Sequence, residues 1–193
     1  MDSLALRKLK SIIRKRESLA ATRHIGIPDD QVHFFNLPFY ESGKVQKNPP
    51  SQSDIDITKE LISSVKPHQI YAAGDLADPH GTHRICLNIL FDSIDQLKKE
   101  SYMKDCWVWL YRGAWQEFEV HDIEMAVRMS PDQVLRKRKA IFYHQSQKDS
   151  VMFQGNDERE FWVRAEDRNR TCLLYTSDAA DDLLCVDLGG RRI

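Results

Sequence analysis

Three side chains that can bind a metal or move a proton follow one apolar segment of the sequence. The segment is Gln69–Ala73, and Asp78, His80 and His83 come shortly after it. An apolar strand that ends in a polar loop is where open α/β sheets place their ligands. Two imidazoles at this spacing, with a carboxylate just before the first, can bind one divalent metal and its water. The alternative is a solvated loop in which Asp78 caps the next helix, since His-x-x-His is a weak pattern by itself.

The loop resembles a metal motif of a hydrolase family. Its sequence Asp-Pro-His-Gly-Thr-His-Arg is similar to the second metal motif of the zinc-dependent de-N-acetylases related to N-acetylglucosaminyl-phosphatidylinositol deacetylase, the LmbE/PIG-L family. The segments KPHQIYAAGDLADPHGTHR, MKDCWVWLYRGAW, HQSQKD and RAEDRNR resemble glucosamine-6-phosphate deaminase-like bacterial proteins. In those proteins a deaminase domain is followed by an LmbE-like domain, and the resemblance, over about residues 6–171, lies in that second domain.

The resemblance implies a role for each residue of the loop. His83 matches the last His of the family's His-x-x-His pattern, so it is the expected zinc ligand. His80 matches the first, and when protonated it could stabilise the developing oxyanion or protonate the leaving amine. Asp78 could fix the tautomer of a neighbouring histidine. A solvated position in the loop or the first helical turn is the alternative for all three.

Three further residues are candidates for substrate contact. Arg112 and Trp115 follow the apolar segment Cys106–Tyr111, so they would lie at the carboxyl end of a strand, where they could contact a sugar or phosphate. His144 lies in a His-x-Ser-Gln sequence that the family carries at a comparable place, and it is a candidate for the substrate rim. Its alternative role is a favourable contact with the C-terminal end of a helix dipole. The aromatic residues of the strand itself are predicted to be core: Trp107, Trp109 and Tyr111.

A second motif of the family is not matched. LmbE-like domains begin with a strand that ends in His-Pro-Asp-Asp, which supplies two metal ligands and the general base. Here the chain has Gly26-Ile27-Pro28-Asp29-Asp30, with Ile27 in the position of the required His. Because these residues precede the apolar segment 32–37 instead of ending a strand, we interpret them as a turn. We therefore expect the N-terminal part of the domain to be missing from this chain.

Residues 172–193 do not resemble the rest of the domain. Residues 172–181 back-translate to a transposon-type sequencing adapter, and 186–193 match the continuation of the same oligonucleotide after an index. The segment follows the helical pattern of residues 157–170 without caps or a sustained period. We therefore predict a partial LmbE/PIG-L-like domain over 1–171 and a poorly packed translated adapter, with no native domain, over 172–193. A short native tail is the alternative.

Composition indicates which partners to exclude. The net charge of −1 over 193 residues gives no electrostatic reason to capture nucleic acid. No run approaches the ~18 apolar residues of a membrane span, and no signal-peptide core follows Met1. The four cysteines show no Cys-x-x-Cys spacing. We therefore interpret them as reduced thiols. We expect a cytoplasmic protein without nucleic-acid or membrane partners.

Helices and strands are predicted to alternate along the chain. Apolar spacing and capping residues predict helices over 4–24, 53–65, 82–99, from 130 toward 144, and over 157–170. Short apolar runs predict strands over 32–37, 69–73, 106–111 and 124–127. This alternation predicts an α/β fold with a three-layer, mostly parallel, Rossmann-like sheet of the LmbE/PIG-L type, here incomplete.

The sequence therefore predicts a fragment of a glucosamine-6-phosphate deaminase-like protein of amino-sugar catabolism, resembling its zinc-dependent de-N-acetylase domain. Its expected partners are an amino sugar or amino-sugar phosphate and the deaminase domain of the parent chain. Since catalytic zinc usually has three protein ligands, a site with one ligand should bind zinc poorly. We therefore expect the fragment itself to be inactive. The alternative is a non-catalytic sugar-binding or assembly module attached to the deaminase domain.

Overall fold

The structure is a computed structural model that describes residues 3–40, 47–74, 81–111, 120–147, 159–176 and 184–192. At 120, 171–176 and 184–192 it describes the backbone alone. The helices and strands are, in order, α1 (Leu4–Ile25), α2 (Gln52–Val65), β1 (Gln69–Ala73), α3 (Thr82–Leu97), β2 (Trp107–Tyr111), β3 (Met125–Met129), α4 (Pro131–Phe142), α5 (Phe161–Thr176) and β4 (Leu184–Arg192). None of the described helices is both long enough and apolar enough to span a membrane. The chain divides into two compact units, residues 1–34 with 126–186 and residues 35–125 with 187–193.

The second unit is organised around a parallel strand pair. β1 and β2 pair in register, with Gln69 opposite Trp107 and Ala73 opposite Tyr111. Parallel strands need a crossover connection, and α3 lies in it, followed by a 3-10 turn at Ser101–Asp105. Helix α2 precedes β1 and packs against α3. The predicted α/β fold with a parallel sheet is therefore confirmed.

The core of this unit lies between its helices and one face of the strands. Its buried members are Ile62, Ile94, Leu97, Met103, Cys106 and Val108. Because strand side chains alternate between faces, the aromatic residues of β2 lie on the face opposite Val108. Trp107 and Tyr111 are each 38% exposed, and Trp109 is half-buried with its ring centroid 6.1 Å from that of Trp107. The prediction that this aromatic set is core is therefore wrong for Trp107 and Tyr111.

Strand β4 lies within the segment expected to be poorly packed. It pairs antiparallel with β2, so that Arg192 is opposite Trp107 and Leu188 is opposite Tyr111. Helix α5 also continues beyond residue 171 to Thr176. The backbone of residues 172–176 and 184–192 is therefore regular, and the origin and packing of this segment stay predictions. The expectation rested on the lack of a hydrophobic period, whereas backbone hydrogen bonds pair β4 with β2, and β4 lies between β2 and β3 in the sheet.

The first unit is mainly helical. Helix α1 packs against α4, and α4 packs against α5. Ser130 caps α4 as predicted: its Oγ accepts from the Gln133 amide at 3.3 Å, and the Gln133 side chain accepts from the Ser130 amide at 2.7 Å. Pro131 occupies the first turn. Strand β3 neighbours β4.

The strand predicted over 32–37 is absent. A 3-10 turn at Asp29–Gln31 is followed by backbone that is neither helix nor strand, and Asn36 has a positive φ of 48°. Aromatic and β-branched residues favour extended backbone, but a strand also needs a partner. No described strand pairs with this segment.

Candidate functional site

The structure describes two of the six residues predicted for chemistry. His83 and His144 are described, and they belong to the second and first units respectively. The other four predicted residues lie outside the described residues: Asp78, His80, Arg112 and Trp115.

His83 lies in the first turn of α3, the helix that follows β1. The helix begins after Gly81, whose φ of 66° is left-handed and therefore suits glycine. At the end of β1, the Gly74 amide donates to the Tyr111 carbonyl at 3.0 Å, so the chain leaves the sheet beside the end of β2. The predicted position of His83 at the start of the helix after a strand is confirmed, and its role as a ligand stays a prediction.

A cavity of about 500 Å³ lies beside β1 in the second unit. His83 and Cys86, one turn apart on α3, line it. Both residues are also exposed to solvent. The other residues that line the cavity are mostly apolar and come largely from β1, α2 and α3. This arrangement places an imidazole and a thiol on the wall of an otherwise apolar space.

The described residues do not form a complete zinc site. Among them no group of three His, Cys, Asp or Glu side chains could hold a metal ion. His83 and Cys86 offer a nitrogen and a sulfur donor, whereas catalytic zinc usually has three protein ligands. The described part of the chain therefore does not fit a catalytic zinc by itself, and no reaction step follows from it.

His144 lies just after the C-terminal end of α4, in the segment that contacts α1. Its amide donates to the Ile141 carbonyl at 3.1 Å. Two residues later, the amide and hydroxyl of Ser146 donate to the Glu17 carboxylate at 2.7 and 2.6 Å. Burial raises the pKa of Glu17, but the Ser146 hydrogen bonds and the charges of His144 and Arg14 outweigh it, so the pKa is lowered. The His-x-Ser-Gln segment thus anchors α4 to α1, and a role of His144 at a substrate rim stays a prediction.

The sequence RAEDRNR holds α5 against α4. Nε and one terminal nitrogen of Arg138 donate to the two carboxylate oxygens of Glu166 at 2.5 and 2.7 Å, and the guanidinium lies 4.5 Å from the ring centroid of Trp162. Nζ of Lys137 donates to Asn169 Oδ1 at 2.7 Å. Sequence reasoning missed these contacts, although the adjacent cations and the spacing of Glu166 and Asn169 on one helical face were a possible signal.

Comparison with known proteins gives one strong sequence similarity. No protein-family model matches the chain. The chain is 53% identical over 178 residues to a protein of Bacteroides thetaiotaomicron named as glucosamine-6-phosphate deaminase-like. The match covers 91% of this chain and 27% of that relative, so the chain spans about a quarter of the relative's length.

Solved structures with the same fold include a hydratase and a deacetylase. GalB, the 4-carboxy-2-hydroxymuconate hydratase of Pseudomonas putida KT2440, superposes with a TM-score of 0.65 at 15% identity, covering 98% of this chain and 75% of that one. A deacetylase of teicoplanin biosynthesis, in its complex with bog, superposes with a TM-score of 0.54 at 14% identity, and the match covers 93% of this chain and 73% of that one. The deacetylase in its complex with teicoplanin superposes with a TM-score of 0.52 at 11% identity, and the match covers 93% of this chain and 74% of that one. At these identities the similarity establishes the fold.

Proposed function

We propose that this chain is part of a carbon–nitrogen hydrolase of the LmbE/PIG-L type, which in a longer protein acts on an N-acetylated amino sugar or its phosphate. The observation that carries the proposal is the position of His83, in the first turn of the helix after β1 and on the wall of the cavity. The name of the relative supports the amino-sugar part. The fold shared with a deacetylase supports the hydrolase part.

The proposed roles follow the resemblance of the loop. His83 is one zinc ligand of the complete site, while His80 and Asp78 assist proton transfer beside it. Arg112 and Trp115 contact the sugar or its phosphate. Zinc bound in the complete site would supply a polarised carbonyl and an activated water. The other ligands and the general base would come from polypeptide outside this chain.

We infer that the 193-residue chain alone is inactive, since one histidine cannot replace a three-ligand site. The test compares this chain with the full-length Bacteroides thetaiotaomicron relative, measuring bound zinc by mass spectrometry and acetate released from N-acetylglucosamine 6-phosphate. We expect the relative to bind about one zinc and release acetate, and the chain to do neither. If the chain bound stoichiometric zinc and released acetate, the inference that it is inactive would be wrong.

The role of His83 has its own test in the relative. Replacing the residue that matches His83 with Ala should remove most of the bound zinc and the acetate release. The control replaces the residue that matches His68, whose exposed side chain lies just before β1 in this chain. Unchanged zinc content after the first replacement would contradict the ligand role.

One observation favours a second candidate, a non-catalytic sugar-binding or assembly module. The fold also serves a hydratase, so fold alone does not select a reaction. If the relative binds N-acetylglucosamine 6-phosphate but holds no zinc and releases no acetate, the module is the better assignment.

A further inference from the structure

The first three turns of α1 are exposed to solvent on every side. The second half of the helix is held in the first unit, where Ala21 is buried and the Glu17 carboxylate accepts from Ser146. Every residue from 3 to 14, by contrast, is exposed. The Ser3 hydroxyl accepts from a backbone amide of the first turn at 3.2 Å, so it caps this end of the helix.

Four of the exposed side chains in these turns are apolar and share one face of the helix. Leu6, Leu9 and Ile13 are three and four residues apart, a spacing that places them on one side. Ile12 follows Leu9 by three residues and extends the same side. Leu9 and Ile12 are 53% and 50% exposed, and the other two are each 41% exposed. Single exposed apolar residues are normal, but a contiguous group marks an interaction site. We call these four residues the α1 stripe.

Cations surround the α1 stripe. Arg7 and Arg14 are seven residues apart and lie on the opposite face of the helix. Lys8 and Lys10 lie toward the two borders of the stripe. Residues 3–16 contain no Asp or Glu, so every charged side chain in these turns is positive. An apolar stripe among cations fits a partner that is apolar inside and anionic at its surface.

We propose that the first three turns of α1 bind in the interfacial region of an anionic lipid membrane. The α1 stripe enters the boundary between headgroups and acyl chains, while Lys8 and Lys10 reach the lipid phosphates at its borders. The other cations add long-range attraction to the negative surface. The expectation of no membrane partner rested on the lack of a spanning segment and of a signal-peptide core. A helix that lies in the interface needs neither.

Other anionic partners match only part of this surface. A nucleic acid would bind the cations through its phosphates and leave the α1 stripe in water. A second copy of this chain, paired through the same face, would bring like charges together. An acidic groove of a protein could bury the stripe, but the uniform positive charge favours a surface of uniform negative charge, such as a layer of anionic headgroups.

Sedimentation with lipid vesicles tests the proposal on the 193-residue chain. The chain should bind vesicles of phosphatidylglycerol with phosphatidylcholine, and it should not bind vesicles of phosphatidylcholine alone. Added salt should weaken the binding, because ions screen the attraction. Equal binding to both kinds of vesicle would overturn the proposal. Binding to neither would overturn it too, and would leave an acidic protein groove as the occupant.

The contribution of the cations is measured with a triple variant. Arg7→Gln, Lys8→Gln and Arg14→Gln together should weaken binding to the anionic vesicles by roughly 100-fold, because each cation near such a surface contributes about fivefold. The control replaces with Gln three exposed cations elsewhere: Lys99, Lys104 and Arg128. It changes the net charge equally and should bind as the unaltered chain does. Equal losses in the two triple variants would show that net charge, and not α1, drives the binding.

The α1 stripe has a separate test. Leu9→Ser with Ile13→Ser should weaken binding to the anionic vesicles at least ~10-fold, because two apolar side chains no longer leave water. Binding to soluble polyglutamate, which has no apolar interior, should change little. The control is Val65→Ser with Leu135→Ser, since both of these side chains are exposed elsewhere. If the Leu9 and Ile13 variant binds the vesicles as tightly as the unaltered chain, the cations alone account for the binding and the interfacial helix is wrong.

Discussion

The backbone amide of Phe39 donates a hydrogen bond to Oδ1 of Asp54, 3.0 Å away. The second carboxylate oxygen, Oδ2, accepts from the amide and the hydroxyl of Ser51, both at 2.8 Å. Asp54 is 0% exposed. One buried carboxylate therefore joins the start of α2 to the turn that contains Phe39.

This geometry predicts that Asp54 makes the free energy of unfolding depend on pH. Burial raises the pKa of Asp54, but the hydrogen bonds from Phe39 and Ser51 outweigh it, so the pKa is lowered. A carboxyl with a lower pKa when folded contributes stability above its unfolded pKa of about 3.9, and that contribution is lost as pH falls through the folded pKa. Stability should therefore fall below about pH 4.

Asp54→Asn tests this dependence. We expect the variant to lose roughly 2–4 kcal/mol of unfolding free energy at pH 7, because an amide cannot satisfy all three donors. It should also show a shallower loss between pH 5 and pH 3. Urea unfolding at several pH values measures both. Asp56→Asn, two residues along α2 and exposed, is the control, and equal behaviour of the two variants would contradict the role of Asp54.

Arg138 offers a test of how α4 holds α5. Lysine in place of Arg138 keeps the charge but cannot make the paired bonds to Glu166, and it stacks less well on Trp162. We expect Arg138→Lys to lower the thermal midpoint by several degrees and to shift tryptophan emission. Arg136→Lys, on the same helix with an exposed side chain, should leave both unchanged. Equal thermal midpoints of the two variants would show that the ion pair between Arg138 and Glu166 does not stabilise the packing of α5 on α4.

The sequence predicted the local elements well where local chemistry sets them. Apolar content placed β1 at residues 69–73, and Ser130 with Pro131 placed the start of α4, because capping and propensity act over a few residues. Pairing is different, since it depends on residues far along the chain. The segment 32–37 has the composition of a strand but no partner, and β4 has a partner without the composition.

The candidate site was predictable only in its position. Spacing after β1 placed His83 at the start of a helix, as observed. The spacing of His83 and Cys86, three residues apart on a predicted helix, was a local signal that they share a face, but the cavity itself also requires α2 and β1. The same limit explains His144: the motif indicated a site, but the contact of Ser146 with Glu17 joins residues 129 positions apart.

That contact between Ser146 and Glu17 can be tested by titration. Removing the hydroxyl with Ser146→Ala should raise the pKa of Glu17 toward its ordinary value of about 4.3, because one of the hydrogen bonds that lower it is lost. Carbon-detected NMR of the Glu17 carboxyl measures the change. Gln147→Ala should leave the titration unaltered, since the Gln147 backbone amide, which the variant keeps, donates to the His144 carbonyl. An unmoved Glu17 pKa in Ser146→Ala would mean that Ser146 does not hold the carboxylate.

The described cysteines should differ in reactivity. Cys86 is exposed on the cavity wall, whereas Cys106 is 5% exposed in the core of the second unit. Burial raises the pKa of the Cys106 thiol, so it has less reactive thiolate at pH 8 as well as poor access. In a Cys172→Ser, Cys185→Ser background, iodoacetamide should alkylate Cys86 at least ~100-fold faster than Cys106, as followed by peptide mass spectrometry. In urea the two rates should converge, and equal rates without urea would show that the core around Val108 is open in solution.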